Sequence, residues 1–335
     1  MVAIQIPDLW LAKLRRRSHA ETTVKRYITG IHSFEQFLQS FKPKTIDLAY
    51  KAVLQDPYPH IDNYITWADQ RGLKPMSIRT NLNAVISLLR FSGVQLNADK
   101  LKQIQKPKVI RIADEPLTTD TIVSILLAND PLVSAVILCL VTSGMRLGEA
   151  LTLQVRDLHL AEKVPRITIR AENTKTKEQR EIFITPQAAT ALNAMCASMH
   201  LVSATPADFV FVNRNGLPYT PTKFRERYNR VIKRAGLYKP IQGHKYNVLH
   251  PHIYRKYFFS VAVGIIGETA AHALMGHSFY LKTYFLKPLA DKQADYQKLI
   301  PILTFNLSTT KALRYSPDSL LLGNCVKIGN LWALK

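Results

Sequence analysis

The sequence has few of the residues that cross-link small folds, and it has no long hydrophobic run. It contains 3 Cys, at positions 139, 196 and 325, and no C-x-x-C pair. This spacing disfavours a disulfide framework and a cysteine zinc site, and it fits a reducing compartment. The longest apolar run, 132–141, is about half of the ~20 residues that a membrane helix needs. We therefore expect a soluble protein of the cytoplasm without a membrane partner.

Acidic residues are scarce relative to basic ones: the chain has 45 Lys+Arg against 24 Asp+Glu, a formal net charge of +21. Because the excess is spread along the whole chain, it favours a polyanionic partner that the protein surrounds, such as duplex DNA. The most biased stretch is 214–245, where nine basic residues accompany one acid. It predicts contacts to a DNA backbone, although a solvated helix face has the same composition. The candidate DNA-binding residues are Lys223, Arg225, Arg227, Arg230, Lys233 and Arg234.

Several common catalytic patterns are also missing. The sequence has no G-x-x-x-x-G-K-[ST] phosphate loop, no G-x-S-x-G nucleophile turn and no paired acids at a metal-binding spacing. His250 and His252 lie close together, but no carboxylate or cysteine accompanies them, which argues against a zinc site. We therefore expect no metal and no cofactor.

Apolar spacing predicts a helical N-terminal region. Helical patterns cover 18–38, 60–70 and 77–91, and Ser18 with Glu21 has the spacing of a capping box at the first of them. The following stretch contains prolines and basic residues without apolar periodicity, which is typical of an interdomain linker. These patterns predict a helical bundle over 1–105 and a linker over 106–115.

The second half of the sequence mixes both kinds of element. Residues 164–170 and 180–185 alternate as strands do around a polar turn, which predicts a β-hairpin, and 209–212 is a short strand candidate. Helices are predicted at about 119–129, 131–142, 186–200, 221–235, 251–263, 267–275 and 278–286. The expected fold is multidomain and mainly α with a small antiparallel β element. Its second domain, of the α+β class, spans 116–305 and precedes a C-terminal tail over 306–335.

Three motifs place basic side chains at predicted helix ends. In the first, Glu149 follows Arg146 by one helical turn, which either forms an internal ion pair or orients the guanidinium toward an anion. In the second, His252 and Arg255 share one face near a helix N-terminus, a suitable place for an anion. The third, Leu-Met-Gly-His-Ser, adds His277 at a turn. Together these cations would bind one phosphate and offset the charge that develops during metal-free phosphoryl transfer.

The order and spacing of these motifs resemble the tyrosine recombinase, or phage-type integrase, superfamily. Residues 142–158 resemble its T-x-G-x-R-x-x-E-x-x-x-L box followed by an aspartate, 251–255 resembles its H-x-x-R box, and 274–278 resembles its L-x-G-H-S box. The resemblance covers 116–305. The N-terminal region is similar to the family's SAM-like core-binding domain only in type and position. The ending, 276–305, looks most like integrases of archaeal viruses and plasmids.

The resemblance implies a site-specific recombinase that cuts and rejoins duplex DNA through a 3′-phosphotyrosyl intermediate, without metal or ATP. Arg146 and Arg255 would bind the non-bridging oxygens of the scissile phosphate. His252 and His277 would add hydrogen bonds, with His252 as a proton acceptor from the nucleophile. Glu149 would position Arg146.

The implied proton donor and nucleophile both have rivals. Lys175, in the hairpin turn, would protonate the departing 5′ oxygen, and Lys177 is the alternative; a solvated lysine is the ordinary outcome for either. The family's tyrosine usually lies nine residues after the histidine of L-x-G-H-S, a position held here by leucine. Tyr284 lies seven residues after it and is the implied nucleophile, with Tyr280 and Tyr296 as alternatives.

The resemblance also implies partners and a cellular setting. Family members act as a homotetramer on two DNA sites and exchange a C-terminal segment, here 287–335, and the free protein would be a monomer or dimer. We expect an enzyme of a mobile genetic element that acts on DNA at the nucleoid. A type IB topoisomerase-like activity and a catalytically inactive DNA-binding relative remain the alternatives.

Overall fold

The computed structural model describes residues 4–42, 45–109, 115–174, 177–198, 205–240, 247–276 and 287–307, together with the backbone of 325–328 and 331–334. The chain divides into two compact units, Met1–Ala113 and Asp114–Lys335. In the described part of the chain, no helix is long and apolar enough to span a bilayer. The expected class, mainly helical with a small antiparallel sheet, is confirmed.

The first unit is built from helices. Their bounds are α1 Asp8–Ser18, α2 Glu21–Ser40, α3 Ile46–Gln55, α4 Pro57–Gln70, α5 Pro75–Phe91 and α6 Ala98–Gln103. Helices α2 and α5 approach closely at Gly30, where an added Cβ would lie 2.9 Å from the Cβ of Ala84. The three helices predicted from apolar spacing are confirmed, and α1, α3 and α6 are additional.

The predicted capping box at Ser18 is wrong. Ser18 is the last residue of α1, and its hydroxyl donates to the Leu14 carbonyl oxygen at 2.8 Å. Helix α2 begins at Glu21, whose carboxylate accepts from Nε of Arg15 at 2.7 Å. The reason is the buried pair Trp10 and Leu14, which makes the preceding segment an amphipathic helix in its own right.

The second unit combines helices with short strands. The bounds of its helices are α7 Thr119–Leu126, α8 Pro131–Ser143, α9 Leu147–Leu151, α10 Pro186–Ser198, α11 Pro221–Arg234, α12 His252–Ile266, α13 Glu268–Met275 and α14 Leu289–Leu299. The strands are β1 Leu158–His159, β2 Arg166–Ile169, β3 Arg180–Phe183, β4 Cys325–Ile328 and β5 Leu331–Leu334. The helix predicted at 278–286 lies outside the described residues.

The three-stranded sheet is antiparallel in the order β1-β2-β3. Ile167 pairs with Ile182, which confirms the predicted hairpin, and both side chains are buried. Strand β1 has two residues, too few for alternation to reveal. The strand expected at 209–212 is instead a pair of isolated bridges. Strands β4 and β5 form a hairpin in the tail, where the sequence indicated none.

Helix α8 is the central element of the second unit. All of its residues except Pro131 and Ser134 are buried, so it is apolar all round rather than on one face. It ends at Ser143, and the next residue, Gly144, has a left-handed backbone with φ of +66°. Gly144 lies two residues before Arg146 in the first motif, so the end of this buried helix determines the position of the Arg146 backbone.

We expect Gly144→Ala to lower the free energy of unfolding by about 2–5 kcal/mol, because left-handed strain adds to overpacking. An added Cβ would lie 2.6 Å from Cδ1 of Phe258. Gly216 is a matched control: it has φ of +73° and nothing within 4 Å, so Gly216→Ala should cost only about 1 kcal/mol. Urea unfolding of both variants measures the difference, and equal losses would contradict it.

Candidate functional site

One guanidinium joins the three sequence motifs. Arg255, in the first turn of α12, is only 3% exposed. Its Nη1 donates to the carbonyl oxygen of Gly144, in the first motif, and its Nη2 donates to that of Met275 in the third at 3.4 Å. Segments far apart in the sequence therefore meet at a single buried side chain.

Arg255 is a buried cation without a carboxylate partner among the described residues. Burial and, to a smaller extent, the nearby charge of Arg146 lower its pKa to about 10, although the charge of Glu149 opposes them. A buried guanidinium that meets only carbonyl oxygens is costly unless an anion approaches it. The site is therefore suited to a phosphate oxygen, which accepts charge-assisted hydrogen bonds from arginine.

Glu149 is the carboxylate at the centre of the first motif, and it is 2% exposed. Oε1 accepts from Nη1 of Arg146 at 2.9 Å, and Oε2 accepts from the Arg146 backbone N–H at 2.7 Å. Arg180, at the start of β3, donates through Nη1 to Oε1 at 3.2 Å and through Nη2 to Oε2 at 2.7 Å. Burial opposes ionisation of Glu149, but the two arginines, Arg180 first, outweigh it and hold its pKa below the usual value.

His252 lies at the first position of α12 and is exposed. Partial burial of the ring lowers its pKa below the usual value, and the charge of Arg255 adds to the effect. A lowered pKa keeps the imidazole neutral near pH 7, so one ring nitrogen is available to accept a proton. Its ring stacks near that of His250, with centroids 6.4 Å apart.

Several candidates from the sequence lie outside the described residues: Lys175, His277, Tyr280 and Tyr284. Two of their rivals are described. The ammonium of Lys177 is exposed and donates to the Glu172 carbonyl oxygen at 3.0 Å. The hydroxyl of Tyr296 is buried and donates to the Thr142 carbonyl oxygen at 2.7 Å, and burial raises its pKa well above the usual value. Tyr296 is therefore a core residue rather than a nucleophile.

The region that contains the three motifs matches a known family. Residues 115–278 match the phage integrase family. Tyrosine recombinase XerD of Listeria monocytogenes is 25% identical over 244 residues, which cover 68% of this chain and 77% of that relative. Residues 115–278 therefore form a domain of the tyrosine recombinase superfamily. The predicted enzyme class, a tyrosine-type site-specific DNA recombinase, is confirmed.

Solved structures of tyrosine recombinases have the same fold. The XerH recombinase bound to a difH substrate superposes with a TM-score of 0.58 at 15% identity, covering 82% of this chain and 76% of that one. A lambda integrase tetramer bound to a Holliday junction gives 0.54 at 16% identity, covering 84% and 78%. At this level of identity the likeness concerns the fold alone.

Helix α11 of the recombinase contains all six predicted DNA-binding residues. Its apolar face is buried through Phe224, Tyr228, Val231 and Ile232. The opposite side borders a concave surface of about 830 Å³. The lining residues are Asp130, Asn213, Arg214, Asn215, Tyr219, Arg227, Arg230, Lys233 and Arg234. This concavity has five cationic side chains and one acidic side chain, which suits a polyanion.

The six cations of α11 are not equivalent. Arg227 donates through Nε to the Asp130 carboxylate at 2.8 Å, and its Nη1 donates to the Tyr219 hydroxyl at 2.9 Å, so it helps to hold the fold together. Lys223 pairs with Glu226 at 3.0 Å on the exposed face. By contrast, Arg225 and Arg230 are exposed and have no ion-pair partner within the described ranges. These two are the freest for DNA.

No cluster of three or more His, Cys, Asp and Glu side chains in the described ranges could hold a metal ion. Cys139 and Cys196 are free and buried. Burial raises the pKa of Cys139 to about 12 and that of Cys196 to about 11, so neither is a reactive thiolate near pH 7. The absence of a metal requirement stays a prediction.

Arg180 is the site residue that the sequence did not reveal. It lies at the first position of β3. The alternation of residues predicted this strand of the hairpin, but it did not indicate which side chain Arg180 pairs with. Its partner Glu149 is 31 residues away in the sequence. The sequence offered one signal, a basic residue at the start of the second hairpin strand combined with an acid that looks buried. This combination is too common to be specific.

Proposed function

We propose that this recombinase cuts and rejoins duplex DNA at specific sites through a 3′-phosphotyrosyl intermediate. The observation that supports this most strongly is the position of Arg255, which links the segments of all three motifs and has no described carboxylate partner. A phosphate between Arg255 and Arg146 would supply the missing negative charge. As charge develops on the non-bridging oxygens, both guanidiniums would stabilise it.

The proposed chemistry requires a nucleophile and a proton donor. The hydroxyl oxygen of Tyr284 attacks phosphorus, its proton passes to His252, and the bond to the 5′ oxygen breaks. Lys175 gives a proton to that oxygen, which leaves as a free 5′ hydroxyl. The rivals Tyr296 and Lys177 each already donate a hydrogen bond to a backbone carbonyl oxygen, which supports Tyr284 and Lys175 as the reacting residues. The 5′ hydroxyl of a second duplex then attacks the phosphotyrosine, so the bond energy is conserved.

We also propose how the chain holds its DNA. The helical region 1–105 acts as a clamp, 106–115 as its linker and 116–305 as the catalytic domain, with Arg225 and Arg230 of α11 against the backbone. The assembly is a homotetramer on two sites. The exchanged segment lies within 287–335, whose helix α14 packs into the core of its own chain through Tyr296 and Leu299. An origin in an archaeal virus or plasmid rests on the likeness of 276–305 alone, whereas action at the nucleoid follows from the DNA partner.

A trapping experiment tests the proposed function. The cognate site is first selected from a pool of random duplexes, and a nicked suicide version of it is incubated with the protein in EDTA without nucleotide. We expect a covalent protein–DNA adduct. Failure to trap any adduct on the selected site, or a strict metal requirement, would contradict the proposal. Relaxation of supercoiled plasmid without recombinant product would favour the topoisomerase-like alternative.

A further inference from the structure

The residue that holds Glu149 from outside the first motif is Arg180. We propose that Arg180 is a positioning residue of the recombinase, which fixes the Glu149 carboxylate so that Glu149 presents Arg146 to the scissile phosphate. This inference rests on the proposed function, because it concerns the same phosphate site. Arg180 touches neither the phosphate nor the nucleophile in this proposal and acts through Glu149.

The hydrogen bonds around Glu149 support this role. Oε1 accepts from Nη1 of Arg146 and Nη1 of Arg180, and Oε2 accepts from the Arg146 backbone and Nη2 of Arg180. Each carboxylate oxygen therefore has two donors, and the bidentate fork of Arg180 prevents rotation of the carboxylate plane. Without Arg180, the carboxylate could turn and take the Arg146 guanidinium with it.

The charges of the cluster point the same way. One carboxylate lies between two guanidiniums, and both pairs are close, at 2.9 Å for Arg146 and 2.7 Å for Arg180. The cluster therefore keeps a net positive charge. Glu149 divides its negative charge between Arg180 and Arg146. The carboxylate therefore orients Arg146 but does not fully neutralise it. Its side chain is still 37% exposed, so the remaining positive charge can meet an anion from solvent.

Arg180 also contacts the turn that leads to His277. Its Cδ and Nε lie beside Gly276, where an added Cβ would come within 2.4 Å and 2.9 Å of them. The Nε–H of Arg180 is buried without a hydrogen-bond partner among the described residues. The guanidinium therefore takes the orientation that pairs it with Glu149, although this leaves one of its donors without an acceptor. Arg180 thus packs between the first and third motifs.

The test compares Arg180→Gln and Arg180→Lys with Arg166→Gln. Arg166 is a suitable control because it lies on the neighbouring strand β2 with a 19% exposed side chain and pairs with Glu162 and Glu181, away from Glu149. We expect Arg180→Gln to slow single-turnover cleavage at saturating DNA about 10- to 100-fold, as is typical when an orienting partner is lost, and to leave the DNA Kd within about threefold. Arg180→Lys keeps the positive charge but loses the bidentate hydrogen bond, so its cleavage rate should lie between those of Arg180→Gln and the parental protein. Arg166→Gln should cleave at the parental rate.

A double-mutant cycle separates positioning from a general structural role. If Arg180 acts through Glu149, Arg180→Gln combined with Glu149→Gln should cleave no more slowly than the slower single variant. Rates that multiply, or parental cleavage by both Arg180 variants, would overturn the proposal. If Arg180→Gln fails to fold, Arg180→Lys decides: parental cleavage overturns the proposal, and slow cleavage with intact DNA binding supports it. An unmodified protein that traps no adduct would instead count against the proposed function.

Discussion

Arg255→Gln is expected to cleave DNA at least about 10³-fold more slowly than the parental protein while still binding it. The reason is that the buried guanidinium is oriented by the Gly144 and Met275 carbonyl oxygens and has no described anionic partner. Its charge is thus reserved for the phosphate, and preorganised cations of this kind contribute most in the transition state. Single-turnover cleavage of a suicide substrate at saturating DNA measures the effect.

Arg230→Gln is the matched control, because Arg230 is exposed on α11 and belongs to the surface that would hold the backbone. Removing it should weaken DNA binding modestly and reduce the slope of log K against log salt by about 1, since one phosphate contact is lost. Its cleavage rate at saturating DNA should be unchanged. Equal losses of cleavage in the two variants would contradict the division between catalytic and holding cations.

The second large effect is expected from Tyr284→Phe, which removes the hydroxyl proposed to attack phosphorus. No covalent adduct should form at all, because phenylalanine offers no oxygen for the phosphoryl group. Binding to the same DNA should persist, since the substitution removes one oxygen atom and leaves the basic side chains of α11 unchanged. Gel-shift and adduct-trapping measurements on one preparation separate the two properties.

The other tyrosines provide the controls for this result. Tyr280→Phe should retain the adduct. Tyr296→Phe should retain it too, but its loss of a hydrogen bond to the buried Thr142 carbonyl should lower the free energy of unfolding by about 1–3 kcal/mol. An adduct that survives in Tyr284→Phe and vanishes in Tyr280→Phe would show that the nucleophile was assigned to the wrong residue.

The sequence was informative where a local pattern determines a local structure. Apolar periodicity predicted α2 and α5, a continuous apolar run after Pro131 predicted α8, and strand alternation predicted the β2–β3 hairpin, because each depends on neighbouring residues. It failed where a distant partner decides. Strand β1 consists of two residues and exists only because Leu158 pairs with Ile167. Ser18 has the sequence pattern of a helix N-cap, but α1, which buries Trp10, extends through Ser18.

The same distinction applies to the site. Arg146 and Glu149 lie one turn apart, so their contact was predictable from spacing. The contact of Arg180 with Glu149 joins a strand to a helix and depends on tertiary packing, which no local pattern encodes. Likewise, Arg227 belonged to a uniformly basic helix in the sequence, but the structure pairs it with Asp130 from the start of α8. Composition predicted a polyanion-binding surface, and only packing shows which of its basic side chains already pair with acidic side chains of the protein.

The most direct test of the central proposal is to identify the residue that becomes attached to DNA. The adduct formed by the unmodified protein on a suicide substrate in EDTA is digested with nuclease and protease, and the modified peptide is sequenced by mass spectrometry. We expect a nucleotide joined through its 3′ phosphate to the hydroxyl of Tyr284. Attachment at any other residue would contradict the assigned nucleophile, and an adduct joined through a 5′ phosphate would contradict the proposed chemistry itself.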